Sequence, residues 1–229
     1  VDAALTTVGQ VSIDLIYGSP DESLASWERS VRTALETGIG HLSTYALTVE
    51  LGTPLSRAVR DGAPAPDPDR QADAFEIACA LASGAGLVRY ETSNHARPGE
   101  TVAYNLLTWA QGEYAACGNG AHRHRDGVRS WNVRRVDRYV ERIEAGESVV
   151  SGDERLGAWE RDAERIVLGI RRSAGVVPGP VGERLLASDD GAALVEAGIL
   201  EHRDGRLVVT DPMLENAAAR AVLGLELAD

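Results

Sequence analysis

Through the first ninety residues the apolar positions alternate between strand-like runs and helical spacing. Val11, Ile13, Leu15 and Ile16 form a short, partly β-branched run closed by Gly18 and Pro20, which predicts a strand over 11–17. Asp21-Glu22-Ser23 supplies capping groups, and Leu24, Trp27, Val31 and Leu35 then recur at helical spacing until Gly38 and Gly40. A second strand is predicted near 41–49. The segment Leu51 to Asp69 is rich in Pro and Gly, and Ala63-Pro64-Ala65-Pro66-Asp67-Pro68 reads as an extended connector. Ala72, Phe75, Cys79 and Ala82 share one stripe of a helix over about 70–83, and a strand near 87–92 completes the unit. This β-α-β-α-β order implies parallel strands with right-handed crossovers. Three strands do not close a barrel, so the sheet is expected to continue into further chain.

Residues 93–133 hold no clean period and are rich in Gly, Asn, Arg and aromatic residues, as a substrate-facing loop region would be. Helices are predicted near 134–145 and 153–173, with a break at Val176 to Pro180. Two helices over about 180–188 and 190–197 follow, and a last one over 212–225. Before that last helix, Asp204-Gly205 lies between Leu200-Glu201-His202 and Leu207-Val208-Val209, a strong hairpin signal. That order is winged-helix-like. The fold class is therefore α/β: a partial barrel with substrate-facing loops over 1–133 and a mainly helical domain over 134–229.

The charge balance narrows the partners. The chain carries 23 basic and 35 acidic residues, a net charge of −12, and from residue 151 onward nine arginines face fifteen acidic residues. A nucleic-acid partner would need a basic face, so DNA or RNA binding is not expected, wing or no wing. All the basic residues are Arg; without lysine there is no Schiff-base chemistry and no phosphate-binding P-loop lysine. No apolar run approaches the roughly 18 residues of a transmembrane helix. The two cysteines, Cys79 and Cys117, fit no metal or redox spacing and read as small packing residues, which points to the cytoplasm.

The chemistry begins at Asp14. An ionised carboxylate in a dry sheet is costly unless something bonds it, so Asp14 either joins a structural hydrogen-bond network or faces a ligand. Its segment, Ser12-Ile13-Asp14-Leu15-Ile16-Tyr17-Gly18-Ser19-Pro20, resembles a barrel strand of the oxygen-independent coproporphyrinogen oxidase family of radical-SAM proteins, which includes the HemW heme chaperones. Three further motifs follow in the family's order. They are His41-Leu42-Ser43-x-Tyr45-x-Leu47-Thr48-x-Glu50-x-Gly52-Thr53-Pro54, Tyr90-Glu91-Thr92-Ser93-Asn94-x-Ala96-Arg97-Pro98-Gly99, and Gly118-x-Gly120-Ala121-His122. The likeness extends more weakly through Gly198-Ile199-Leu200-Glu201 and Leu207-Val208-Val209-Thr210.

The resemblance implies S-adenosylmethionine as a cofactor, with Asp14 accepting from its polar groups, Ala46 as a close-approach backbone position and His122 offering a main-chain contact to adenine. Gly118 and Gly120 would let a backbone approach a flat ligand; equally they fit a tight surface turn. The family has a further glycine where Ala116 stands and a small residue where Arg123 stands, and both changes would crowd that approach. The family's [4Fe-4S] cluster rests on a C-x-x-x-C-x-x-C loop upstream of the first motif. This sequence has no such loop, so it reads as the C-terminal portion of a longer protein or a shortened relative, and its residues cannot build the cluster.

The heme-chaperone branch carries His-Asn-x-x-Tyr-Trp, whose His is a candidate axial ligand. Here the frame is Tyr104-Asn105-Leu106-Leu107-Thr108-Trp109. A tyrosinate also ligates ferric heme, so Tyr104 with Asn105 marks a candidate heme-binding region, with His95, His122 and His124 as nearby alternatives and simple packing as the plain reading. Arg123, Arg125, Arg129, Arg134, Arg135 and Arg138, with His122 and His124, form either a solvated face or an anion site for porphyrin carboxylates or a nucleotide phosphate. His41 is expected to be structural and His202 exposed, while Glu91-Thr92-Ser93-Asn94 either bonds substrate or caps the sheet. The functional expectation is a heme chaperone that hands heme to an acceptor protein. The alternatives are decarboxylating coproporphyrinogen dehydrogenation and a cluster-less binding module.

Overall fold

The computed structural model describes residues 1–225, and these divide into two compact units, 1–101 and from 102 onward. The first unit contains, in order, α1 (Asp2–Leu5), β1 (Ser12–Tyr17), α2 (Leu24–Glu36), β2 (His41–Ala46), α3 (Pro54–Arg60), α4 (Pro68–Gly84), β3 (Val88–Arg89) and β4 (Asn94–Ala96). Its open sheet runs β1-β2-β4-β3. The β1–β2 pair is parallel, Ser12 opposite His41 through Tyr17 opposite Ala46, as the β-α-β pattern predicts.

The sheet has one greasy face. Trp27 and Val31 of α2 and Phe75 and Ala78 of α4 bury against Tyr17 and Leu42, and all are nearly inaccessible. The two helices begin as the sequence dictates. The Ser23 hydroxyl accepts from the Ser26 amide, and the Asp67 carboxylate accepts from the Asp69 and Arg70 amides ahead of Pro68. The opposite face stays partly open, with Ile16 63% and Tyr45 39% exposed. Asp14 lies on that open face and is exposed, which corrects the expectation of a carboxylate inside a dry strand. The reason is that β1 is an edge strand covered on one face only, so its alternate side chains reach solvent.

Three local expectations also change. The third parallel strand shrinks to Val88–Arg89, because Asn94–Ala96 folds back antiparallel between it and β2. The loop after β2 contains α3, started by Thr53 capping the Ser56 amide and by Pro54 in the first turn. The α4 stripe centres on Ala74, Phe75, Ala78 and Ala82, leaving Cys79 half-buried with burial raising its thiol pKa.

The second unit contains α5 (Ala103–Trp109), β5 (His122–Arg125), β6 (Val128–Asn132), α6 (Val136–Glu144), β7 (Val150–Glu154), α7 (Ala158–Gly169), α8 (Gly179–Leu186), α9 (Asp189–Glu196), β8 (Leu200–Arg203), β9 (Arg206–Val209), a 3-10 turn (Pro212–Leu214) and α10 (Glu215–Leu223). The expected boundary at 133/134 falls inside one antiparallel sheet, β5-β6-β7, which joins residues 122–132 to 150–154. β7 stands where the first turn of a helix over 153–173 is predicted. Gly152 lets it pair there: a side chain at that position would meet the ring of Trp131, its register partner on β6, at 2.6 Å.

The helix, helix, hairpin, helix order of the last fifty residues is present, and α7 packs against it. Ile166, Ile170, Val181, Leu185, Leu200 and Leu207 form its core, all at most 2% exposed. Asp204 and Gly205 have φ of +52° and +71°, the left-handed pair that a two-residue hairpin turn requires. The predicted last helix over 212–225 ends at Leu223, and residues 226–229 lie outside the described part.

Candidate functional site

In the first unit the candidate residues sit on adjacent strands. Asp14 is opposite Ser43, and Ala46 ends β2 opposite Tyr17. A hydrogen-bonded chain runs to Asp14 across the open face. The Ser12 hydroxyl donates to Asp14 Oδ1 at 3.4 Å, so the 2.7 Å contact between Ser12 Oγ and His41 Nδ1 is one the imidazole donates. His41 Nε2 then accepts from the Tyr90 hydroxyl at 2.8 Å. Burial holds the His41 pKa below its ordinary value against the pull of Asp14 and Glu100, so the ring is neutral and its tautomer is set by its two neighbours. His41 is thus structural, as expected, and it also orients the groups around Asp14.

The Glu91-Thr92-Ser93-Asn94 end is turned inward. Glu91 is 1% exposed and its Oε1 accepts from the Ser93 amide at 2.9 Å, so this carboxylate closes the turn into β4. Next to it, His95 is 1% exposed and neither ring nitrogen has a partner among the described residues. His95 shares a sheet face with Leu42, its register partner. It is a buried core histidine, not an accessible ligand.

In the second unit, Gly118 and Gly120 have φ of +98° and +66°, so both use conformations that favour glycine. Their polar groups are engaged internally. The Gly118 amide donates to the Tyr139 hydroxyl at 3.2 Å, its carbonyl accepts from Asn132 Nδ2 at 2.8 Å, and the Gly120 amide donates to Val133 O at 2.8 Å. His122, exposed at the start of β5, lies against Trp131 with ring centroids 5.8 Å apart.

The heme-motif residues stand on α5. Tyr104 is 55% exposed, and its ring meets Tyr114 edge-on at 6.0 Å. Tyr114 in turn contacts His124 at 6.3 Å, and the two residues exchange backbone bonds, Tyr114 N to His124 O and the reverse. His124 Nδ1 donates to the Gly112 carbonyl at 3.0 Å, which leaves Nε2 as the nitrogen with a free lone pair in the neutral ring. Asn105 is half-buried on the same helix; Thr108 bonds back to the Tyr104 carbonyl at 3.0 Å; Trp109 stacks under Arg171 at 5.5 Å. Sequence reasoning missed Tyr114, because the bridge that brings it to His124 spans a stretch without period.

The basic cluster separates. Arg129 is fixed by Glu154 at 3.0 Å and by Glu164, and Arg123 donates to Ser130 Oγ at 2.8 Å. Burial would raise the Glu164 carboxyl, but hydrogen bonds from Arg129 and Gln111 outweigh it and hold the pKa below its ordinary value. Arg134, Arg135 and Arg138 instead gather with Arg142 along α6.

The residues present do not fit an iron–sulfur cluster: Cys79 lies in α4, Cys117 in the second unit, and no group of three metal-ligating side chains occurs among the described residues. No helix among them is long and apolar enough to cross a membrane.

No protein-family model matches the chain. It is 39% identical over 218 residues to the heme chaperone HemW of Mycobacterium tuberculosis (strain H37Rv), covering 93% of this chain and 55% of that one. It is 30% identical over 223 residues to the heme chaperone HemW of Bacillus subtilis, covering 93% of this chain and 59% of that one. Among solved structures, the coproporphyrinogen III oxidase HemN of Escherichia coli, a radical SAM enzyme, superposes with a TM-score of 0.71 at 15% identity, over 92% of this chain and 54% of that one. The chain therefore spans about half the length of these relatives. The shared fold, the order of the four motifs and the identity to the chaperones agree: the chain belongs to the oxygen-independent coproporphyrinogen III oxidase-like radical-SAM family and corresponds to the C-terminal portion of its HemW-type members.

Proposed function

We propose that this chain is the heme-handling portion of a HemW-type heme chaperone, which holds heme and passes it to an acceptor protein. The observation that supports this most directly is the shelf formed by Tyr104, Tyr114 and His124. An exposed phenol, that of Tyr104, stands beside the Tyr114 ring, which in turn contacts His124. A flat, apolar macrocycle gains from aromatic contact, and a phenolate oxygen is a competent ligand for ferric iron. An exposed shelf, open to solvent, suits a cargo that must leave again better than an enclosed pocket does.

In the complete protein, the open face of the first sheet is the proposed place for S-adenosylmethionine, with Asp14 as the acceptor and Ala46 at the strand end. The chemistry that cofactor supplies in the family depends on a cluster whose ligands are not among these residues. Here the contribution of this chain is binding. We place it in the cytoplasm, consistent with two free cysteines and no disulfide among the described residues.

The test is a comparison of ferric heme binding by the wild type, Tyr104→Phe and His124→Ala. Tyr104→Phe keeps the ring and removes only the oxygen donor. Its affinity is expected to fall by about tenfold, the equivalent of ~1.4 kcal/mol, with loss of the high-spin, oxygen-ligated absorption pattern. Unchanged spectra and affinity in Tyr104→Phe, with loss in His124→Ala, would move the ligand to His124. No change in either variant would remove the shelf from the account.

A further inference from the structure

We infer that the cleft along α6 is an anion site for a compact ligand carrying two phosphate or carboxylate groups. The cleft, of about 600 Å³, is lined by Arg134, Arg135, Arg138 and Arg142 against Glu141 and Glu147, a local reversal of sign in a chain of net charge −12. That volume is within the range of ordinary small-molecule sites.

The four guanidinium groups are not equally compensated. Arg135 pairs with Asp137 and Arg138 with Glu141, both exposed pairs of the kind that contribute little and exchange readily for a better anion. Arg142 donates to the carbonyls of Ser148 at 3.0 Å and Val150 at 3.4 Å, which fixes its position without neutralising its charge. Arg134 has no side-chain partner among the described residues, and its backbone is pinned: its carbonyl accepts from Asn119 Nδ2 at 2.9 Å, beside a Val133 amide bonded to Val149 O at 2.9 Å. One positioned guanidinium, that of Arg142, and one on a pinned backbone, that of Arg134, both without carboxylate partners among the described residues and flanked by two that can be released, form a bidentate-capable cradle.

Among the described residues Val133 and Ala145 are the only apolar side chains lining the cleft, so the ligand it fits is small and hydrophilic. A porphyrin ring would find little to lie on. The site is therefore independent of the heme reading and stands or falls separately.

The test is calorimetric titration of the whole chain at low ionic strength with inorganic pyrophosphate in one arm and succinate in the other. Saturable binding is expected, weakened at least about fivefold by Arg134→Gln and to below detection by Arg134→Gln with Arg138→Gln, while Arg123→Gln leaves it unchanged. Raising the salt should weaken it, because the charges are solvent-facing. Tighter pyrophosphate binding assigns the site to diphosphates, and tighter succinate binding to dicarboxylates. No binding of either anion, or binding that the Arg134→Gln and Arg138→Gln changes leave intact, overturns the inference. Circular dichroism of each variant confirms the fold, which is expected to survive because neither side chain is buried.

Discussion

Replacing Trp27 with alanine is expected to remove about 3–5 kcal/mol from the stability of the first unit, enough to unfold much of it at room temperature. The indole is 1% exposed and joins three elements at once. From α2 it donates its Nε1 hydrogen to the Ala74 carbonyl of α4 at 2.7 Å, and its ring tilts against Tyr17 of β1 with centroids 5.4 Å apart. Truncation would leave a cavity between helix pair and sheet, where the strand has no other way to bury that face. Trp27→Phe keeps most of the apolar volume and should lose roughly 1–3 kcal/mol, part of it from the missing donor. Hydrogen exchange read by mass spectrometry on β1 and β2 peptides measures this unit separately from the other. Equal protection in wild type and Trp27→Ala would show that the assigned core is wrong.

The second large effect is pH-dependent. Burial, with the Arg89 guanidinium and His41 nearby, pushes the His95 imidazole down to about 4. In the unfolded chain it would titrate near its ordinary value of about 6.5. The folded state therefore binds fewer protons than the unfolded state between these values, and stability falls as the pH falls. The loss begins below about pH 6.5, accumulates to about 3 kcal/mol and levels off below about pH 4. Above pH 7 the group is neutral in both states and contributes no slope.

His95→Leu removes the titration and also the two buried nitrogens that have no partner among the described residues. The variant should be more stable than wild type at pH 7.5, and its advantage in the exchange of β2 and β4 peptides should widen by about 3 kcal/mol by pH 4. Carboxylates elsewhere titrate in both proteins and cancel in that difference. An advantage that does not change with pH would mean that His95 titrates in the fold as it does in the unfolded chain, and would require an acceptor beside it to offset its burial.

Trp27 and His95 also mark what sequence reasoning reaches. Trp27 was legible because Leu24, Trp27, Val31 and Leu35 keep helical spacing over three turns, and long amphipathic elements announce their buried side. The Asp204-Gly205 hairpin was legible because its turn type demands residues that few other conformations favour. The failures share a different cause. β5, β6 and β7 are short, mostly polar strands; β5 and β6 meet through a tight Asp126-Gly127 turn, while β6 reaches β7 across some twenty residues of chain, where Gly152 leaves room for the Trp131 ring. Asp14 looked buried because its neighbours are apolar, yet burial depends on whether a second layer covers that face, and a strand does not carry that information.

The candidate site divides in the same way. The motifs picked out Asp14, Ala46, Tyr104, Asn105, Gly118, Gly120 and His122, which the structure distributes between two compact units. What the motifs could not give was their company. His41 bridges Ser12 to Tyr90 and so faces Asp14, and Tyr114 joins Tyr104 to His124. The first link spans 29 and 49 residues and depends on strand register, and the second rests on an isolated bridge in a stretch without period.

Heme binding is the claim on which the functional account rests, and one measurement reaches it directly: titration of the 229-residue chain with ferric heme, followed at the Soret band and checked by co-elution in size exclusion. The account expects a saturable change at one heme per chain that persists through the column. A linear, non-saturating change with all heme eluting apart from the protein would contradict it.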